Sequence, residues 1–158
     1  FLPSMNKEKA EILEKTAKEY FNSAADELNK KRYNSAIVLF FKSLISLIDL
    51  YILQNKGVTP SSHTERFRLC QNNFQEVYDI LDKDFPFYQD SYVHILTKEL
   101  AEVIKEDVQI MAEKTKIRLF SDIISLISII AVGGFIIFQS LRLKKGYNKS
   151  SSYGKRSK

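Results

Sequence analysis

The amino-acid sequence predicts an all-α protein: a bundle of four to five helices whose last helix runs into a single transmembrane helix. Three observations indicate this fold class. Apolar residues recur at helical spacing through the first three-quarters of the chain, Leu119–Leu141 is almost continuously apolar, and no Gly or Pro lies between Ser91 and Gly133. We therefore predict a bundle over residues 5–116, a transmembrane helix over residues 117–141 and a basic, disordered tail over residues 142–158.

The first two helices are predicted by different patterns. From Ser4 to Lys31 the apolar residues form one stripe opposite a charged face, which is typical of an amphipathic helix. Asn34–Gln54 is apolar almost all the way round, so we expect the central helix of the bundle, with Lys42 and Asp49 arguing against a membrane crossing. The joining turn is short and polar, which predicts that the two helices lie antiparallel. We expect Asn34 to cap the second helix at its start and Gly57 to end it.

The second half of the bundle is predicted as two short helical turns followed by one long helix. Ser62 and Glu65 have the spacing of a capping box at a helix start. Pro86 predicts that the stretch LDKDFPFYQD is a connection. From Ser91 onward nothing in the sequence would stop a helix before the apolar segment, so we expect one continuous rod; the alternative is a bend around Thr115–Ser121.

The net charge of +5 is unevenly distributed along the chain. Residues 1–116 carry 16 Lys and Arg against 18 Asp and Glu, whereas residues 142–158 carry seven Lys and Arg and no acid. The basic character therefore belongs to the tail, and the charge of the bundle does not support nucleic-acid binding. The single Cys70 excludes an internal disulfide and a multi-cysteine metal site. We predict no cofactor and no metal, since no phosphate-binding loop, zinc motif or catalytic triad spacing is present.

Three stretches carry the layout of a known family: YFNSAADELNKKRYNSAIVLFFKSLISLIDLYIL, SSHTERFRLC and FPFYQDSYVHILTKELAEVIKEDVQ. Over about residues 10–115 the chain resembles the HEPN family, small helical bundles often found in archaea and bacteria. The resemblance implies the fold, pairing as a homodimer and, for many members, ribonuclease or toxin activity through an Arg preceding a His by four to six residues. This sequence departs from that motif, because Arg66 and Arg68 follow His63 and no Arg precedes His94 at that spacing.

Three groups of polar residues are candidates for ligand binding, each with a structural alternative. The first follows the capping box, where two arginines beside a helix N-terminus suit an anion; exposed capping charges, with Glu65 and Arg68 paired, are the alternative. The second lies on the most apolar helix, where buried charges need partners. The third is acidic and aromatic, in the predicted connection, where turn chemistry is the alternative. These candidates are His63, Glu65, Arg66 and Arg68; Lys42 and Asp49; Tyr88 and Asp90.

The basic residues after the apolar segment, Arg142, Lys144 and Lys145, are predicted to lie at the membrane surface. As a helix of about 34 Å the segment is long enough to cross a bilayer; its packing within an oligomer is the alternative. The positive-inside rule puts the tail in the cytoplasm, which would require export of the bundle, although we expect no signal peptide. We favour a cytoplasmic bundle, because it has a free Cys and resembles a cytoplasmic family, so these two expectations conflict.

These features predict a non-catalytic, HEPN-like binding or scaffolding module held in the membrane. Its expected partners are membrane lipid, a second copy of the chain, and a protein or nucleotide-like ligand. A divergent metal-independent ribonuclease using His63 or His94 with Arg66 or Arg68 is the alternative.

Overall fold

A computed structural model describes residues 4–119, 133–140 and 142 of the chain, which belong to two units divided after Leu119. The described residues contain helices and no strand, so the prediction of an all-α protein is confirmed. In the second unit residues 133–140 are helical and Arg142 is exposed. The rest of the predicted transmembrane segment, with Lys144, Lys145 and the remainder of the tail, lies outside the described residues.

The first two helices are α1 (Ser4–Asn29) and α2 (Tyr33–Lys56), and they lie antiparallel as predicted. Their connection is tight because α1 ends in a Schellman turn: Lys31 is left-handed (φ 60°), and the amide of Arg32 donates to the carbonyl of Glu27. At the other end, Asn6 Nδ2 donates to the carbonyl of Gly57, whose left-handed conformation ends α2.

Helix α2 is the centre of the bundle, as its all-round apolar surface predicted. It packs against each of the other four helices of the bundle, and its largest fully buried side chains are Phe40, Phe41, Ile37, Leu44, Leu47, Ile48, Leu50, Ile52 and Leu53. By length and composition α2 is also the one helix among the described residues that could cross a membrane. Since 72% of its most apolar window is buried within the bundle, burial as a core helix explains the same composition.

The next two helices are α3 (His63–Asn73) and α4 (Gln75–Asp90). The prediction that residues around Pro86 form a connection is wrong, because α4 continues through that proline to Asp90. Pro86 removes only the hydrogen bond to the carbonyl of Asp82, an exposed residue whose carbonyl can reach water. Phe85 and Tyr88 on either side pack against the core, which stabilises the helix beyond the break.

The last helix of the bundle, α5 (Lys98–Thr115), begins seven residues later than predicted, with Thr97 as its cap. Residues 91–97 form a connection because Asn34 binds them, instead of capping α2 as we expected. Its Nδ2 donates to the carbonyls of Ser91 (2.7 Å) and His94 (2.6 Å), and its Oδ1 accepts from the amide of Leu96 (2.9 Å).

The prediction of one continuous rod into the apolar segment is also wrong. Helix α5 ends in a second Schellman turn, in which Lys116 is left-handed (φ 61°) and the amide of Ile117 donates to the carbonyl of Ala112. The carbonyl of Thr115 accepts from Gln54 Nε2 at the end of α2, and Leu119 is buried in the core. The helix therefore ends at the start of Thr115–Ser121, the range in which the alternative placed a bend. Helix α5 runs parallel to α2.

Candidate functional site

One cavity of about 390 Å³ brings together four of the candidate ligand-binding residues from three helices. We call it the His63 cavity. It lies between α2, the start of α3 and the last turns of α4. It is lined by Tyr20, Phe41, Lys42, Ile45, Ser46, Ser61, Ser62, His63, Arg66 and Tyr88.

The floor of the cavity is held by a buried ion pair between α2 and α3. Arg66 Nε and Nη2 donate to the two carboxylate oxygens of Asp49 at 2.6 and 2.8 Å, and both side chains are about nine-tenths buried. Burial raises the pKa of Asp49, and the hydrogen bond and charge of Arg66 oppose that shift. Asp49, buried as predicted, thus has a partner, but that partner comes from a different candidate group.

His63 is fixed in one tautomer by the same arginine. Arg66 Nη1 lies 3.0 Å from His63 Nδ1, and because a guanidinium only donates, Nδ1 must accept and the ring proton is on Nε2. Burial and the Arg66 charge both lower the pKa of His63, so the ring is neutral at pH 7. The exposed His63 is thus a neutral hydrogen-bond donor at the cavity.

Lys42 and a set of aromatic rings form the other sides of the cavity. The Lys42 ammonium lies 5.5 Å from the centre of the Tyr20 ring, a cation–π distance, and its side chain is exposed. The rings of Phe41 and Tyr88 are stacked, with centroids 4.6 Å apart. The hydroxyls of Tyr88 and Tyr92 are hydrogen-bonded to each other, with their oxygens 3.1 Å apart, and this bond raises the pKa of Tyr88.

Besides Asp49, which is paired with Arg66, three of the candidates are not among the lining residues. Glu65 caps α3: its amide donates to Ser62 Oγ as predicted, but its carboxylate accepts from the amide and hydroxyl of Ser61, and these bonds lower its pKa. The expected pair with Arg68 is not formed, and Arg68 is exposed. Asp90 is exposed and is the last residue of α4, so it lies in a helix and not in the predicted connection.

The polar lining of the His63 cavity contains three donor-only groups and several hydroxyls but no carboxylate. Lys42, the Nε2 proton of His63 and the unused N–H groups of Arg66 are donors only. The hydroxyl of Ser62 already accepts from Glu65 and keeps its proton for a ligand. None of the described lining residues is acidic, and both nearby carboxylates, Asp49 and Glu65, are occupied. Such a lining suits an anion, and the partly exposed ring of Tyr88 suits a planar group attached to it.

A second cluster of titratable groups, missed by the sequence analysis, lies between α4 and α5. Asp84 is fully buried, and neither of its oxygens has a donor among the described residues. Burial, the charge of Asp107 and a hydrogen bond to Asp107 raise the pKa of Asp84 to about 8, and Lys83 Nζ lies 2.7 Å from Asp107 Oδ2. A protonated Asp84 that donates to Asp107 explains this arrangement.

The sequence did contain signals for some of these residues. Asp84 follows Val77 and Leu81 at spacings of four and three, so it occupies the buried stripe of α4. A carboxylate in an apolar stripe indicates a buried acid. Phe41 and Tyr20 gave no such signal, since an aromatic residue on a packing helix is ordinary core.

No family model matches the chain, and no curated protein is significantly similar to it. Among the described residues no group of three or more His, Cys, Asp or Glu side chains is placed to hold a metal ion.

Replacing Arg66 with alanine is expected to lower the free energy of unfolding by roughly 3–5 kcal/mol, because Asp49 would keep a buried charge without a partner. Chemical denaturation of the full chain followed by circular dichroism measures the loss. The loss of unfolding free energy in Arg66→Ala should become smaller as the pH falls. Burial raises the pKa of Asp49, and the protonated carboxyl carries no charge. The matched control is Arg68→Ala, an exposed arginine of the same helix, expected to change stability by less than about 0.5 kcal/mol. Equal losses in both variants would contradict the role of the ion pair.

The buried acid predicts a pH dependence of stability. The pKa of Asp84 is raised from 3.8 to about 8 on folding, so the folded chain binds the extra proton between these values. Its contribution is fully present below pH 3.8 and is lost as the pH rises towards 8, at up to roughly 1.4 kcal/mol per pH unit. Asp84→Asn, whose amide also donates to Asp107, should remove this slope in denaturation experiments across the window. The control Asp82→Asn, an exposed acid of α4, should leave the slope unchanged. A slope that persists in Asp84→Asn refutes the assignment.

Proposed function

We propose that the chain is a membrane-tethered, non-catalytic binding module of HEPN type that recruits a protein or nucleotide-like partner at the membrane surface. The observation that carries the proposal is the His63 cavity, whose charged and imidazole groups are all donors. Lys42, His63 and Arg66 would bind an anionic group such as phosphate, while Tyr88 would face a planar base.

The tether in this proposal is the apolar segment over residues 120–141, followed by Arg142, Lys144 and Lys145 at the lipid headgroups. The bundle would lie in the cytoplasm. Support comes from sequence hydropathy and from the separation of the two units after Leu119. Alkaline carbonate extraction should leave the full chain in the membrane pellet, and its release would contradict the tether.

Dimerisation belongs to the same proposal, because the resembling family pairs through its bundle face. The described bundle leaves a few large apolar side chains of the helices exposed, among them Ile12 and Ile110. Light scattering of the full chain in detergent tests pairing, and a monomer at high concentration would contradict it.

A ribonuclease is the second candidate, and one contact favours it. Arg66 and His63 have the reverse of the family's order, yet Arg66 Nη1 reaches His63 Nδ1 at 3.0 Å. Arg66 is, however, committed to Asp49, and a neutral His63 with Nδ1 occupied has no free base at that nitrogen. We expect RNA incubated with the chain to stay intact. Cleavage that is lost in His63→Ala would establish the enzyme instead.

Binding of adenosine monophosphate to the full chain, measured by calorimetry, tests the cavity. Lys42→Ala should weaken binding about tenfold, because loss of one charge-assisted contact removes about 1.4 kcal/mol. The matched control is Lys56→Ala, which also removes a lysine from above an aromatic ring, that of Phe74, outside the cavity. Adenosine, which has no phosphate, should bind more weakly than the monophosphate.

Two outcomes would contradict the nucleotide proposal. One is the absence of binding to the unmodified chain. The other is an equal loss in Lys42→Ala and Lys56→Ala, since a general charge effect rather than the cavity would then account for binding.

A further inference from the structure

Three large apolar side chains are exposed within four consecutive residues of the connection between α4 and α5. Tyr92 is 66% exposed, Val93 is 72% exposed and Ile95 is 97% exposed. Single exposed apolar residues are normal on protein surfaces, but a contiguous apolar cluster marks an interaction site. We call residues 91–97 the tip.

The tip is exposed although hydrogen bonds hold its backbone in place. Asn34 uses both the donor and the acceptor of its amide to bind the backbone of Ser91, His94 and Leu96. The amides of Val93 and His94 also donate to the carbonyl of Asp90. Leu96 packs against the core while Ile95 beside it is turned out. The fold therefore presents the apolar side chains in a fixed position.

Cations lie directly beside these apolar side chains. Lys31 and Arg32, in the turn between α1 and α2, line a cavity of about 270 Å³ together with Ile95, and none of its described lining residues is acidic. Lys30 and Tyr92 line a neighbouring cavity, which also contains Asp26 and Glu27. Glu27 partly neutralises this side through contacts with Arg32 (3.4 Å) and Lys30 (3.8 Å), whereas no ion pair to Lys31 is formed among the described residues.

We propose that the tip and the turn at residues 30–32 dock on an anionic phospholipid bilayer. A phospholipid has a negative headgroup and apolar chains in one molecule, which matches the cavity formed by Lys31 and Arg32 with Ile95 projecting beside it. A peptide groove would enclose its apolar contact, but Ile95 is 97% exposed and has no enclosing wall. Tyr92 is suited to the interface between headgroups and chains.

A dye at the tip tests this docking in the full chain. Ile95→Cys is labelled with an environment-sensitive fluorophore; Cys70 is buried and its pKa is raised to about 11, so it stays unlabelled. Labelled chain is added to, or reconstituted in, bilayers of phosphatidylcholine alone or mixed with phosphatidylserine. We expect blue-shifted emission only with the anionic mixture, and no shift for a dye at Asp79→Cys, an exposed position near the start of α4. The tip precedes α5 and residues 120–141 follow it, so the dye reports the tip separately from any insertion of those residues.

Charge variants complete the test. Lys31→Ala and Arg32→Ala should each weaken the lipid-dependent shift about fivefold, whereas Lys9→Ala near the start of α1 should not, with folding checked by circular dichroism. A shift that is equal in neutral lipid, no shift at all, or a shift produced only by a soluble acidic peptide would overturn the proposal. A lipid-dependent shift that neither Lys31→Ala nor Arg32→Ala weakens would also overturn the proposal.

Discussion

The buried ion pair between Asp49 and Arg66 holds together the part of the molecule with which the proposed function is concerned. Helix α3 fully buries only Arg66 and Cys70, while Phe67 and Leu69 pack partly buried against the core. The two charge-assisted hydrogen bonds fix its first turn against α2, and with it the ring of His63. A buried pair of this kind adds little net stability compared with apolar packing, but it specifies one arrangement, because any other would leave a charge unpaired. The His63 cavity depends on that specification.

Polar side chains position helix α2 against its neighbours along its whole length. Its apolar surface would pack against any neighbour, since burial of apolar area is not directional. Four polar side chains select the neighbours instead: Asn34 binds the tip, Ser43 donates to the carbonyl of Ala17 in α1, Asp49 binds α3 and Gln54 donates to the end of α5. An apolar core therefore supplies the driving force for folding, and a few satisfied polar groups determine the register of the bundle.

The predictions from the sequence succeeded where the cause was local. Apolar periodicity identified α1, an almost continuous apolar surface identified α2, and the capping residues of α3 were identified by their spacing. The errors have non-local causes. Pro86 remains within α4 because its neighbours pack on the core, and residues 91–97 are held out of a helix by Asn34, about sixty residues earlier in the chain. Four of the eight candidate residues line one cavity, yet the pairing of Asp49 with Arg66 could not be read from either helix alone.

The end of α5 changes how the bundle relates to the apolar segment. A continuous rod would have made the bundle's last helix depend on whatever surrounds residues 119–141. Instead Lys116 closes a capped turn, Thr115 is bound by Gln54, and Leu119 is buried in the core. The residues that line the His63 cavity all belong to the first unit, so the contacts that form the cavity lie within the bundle.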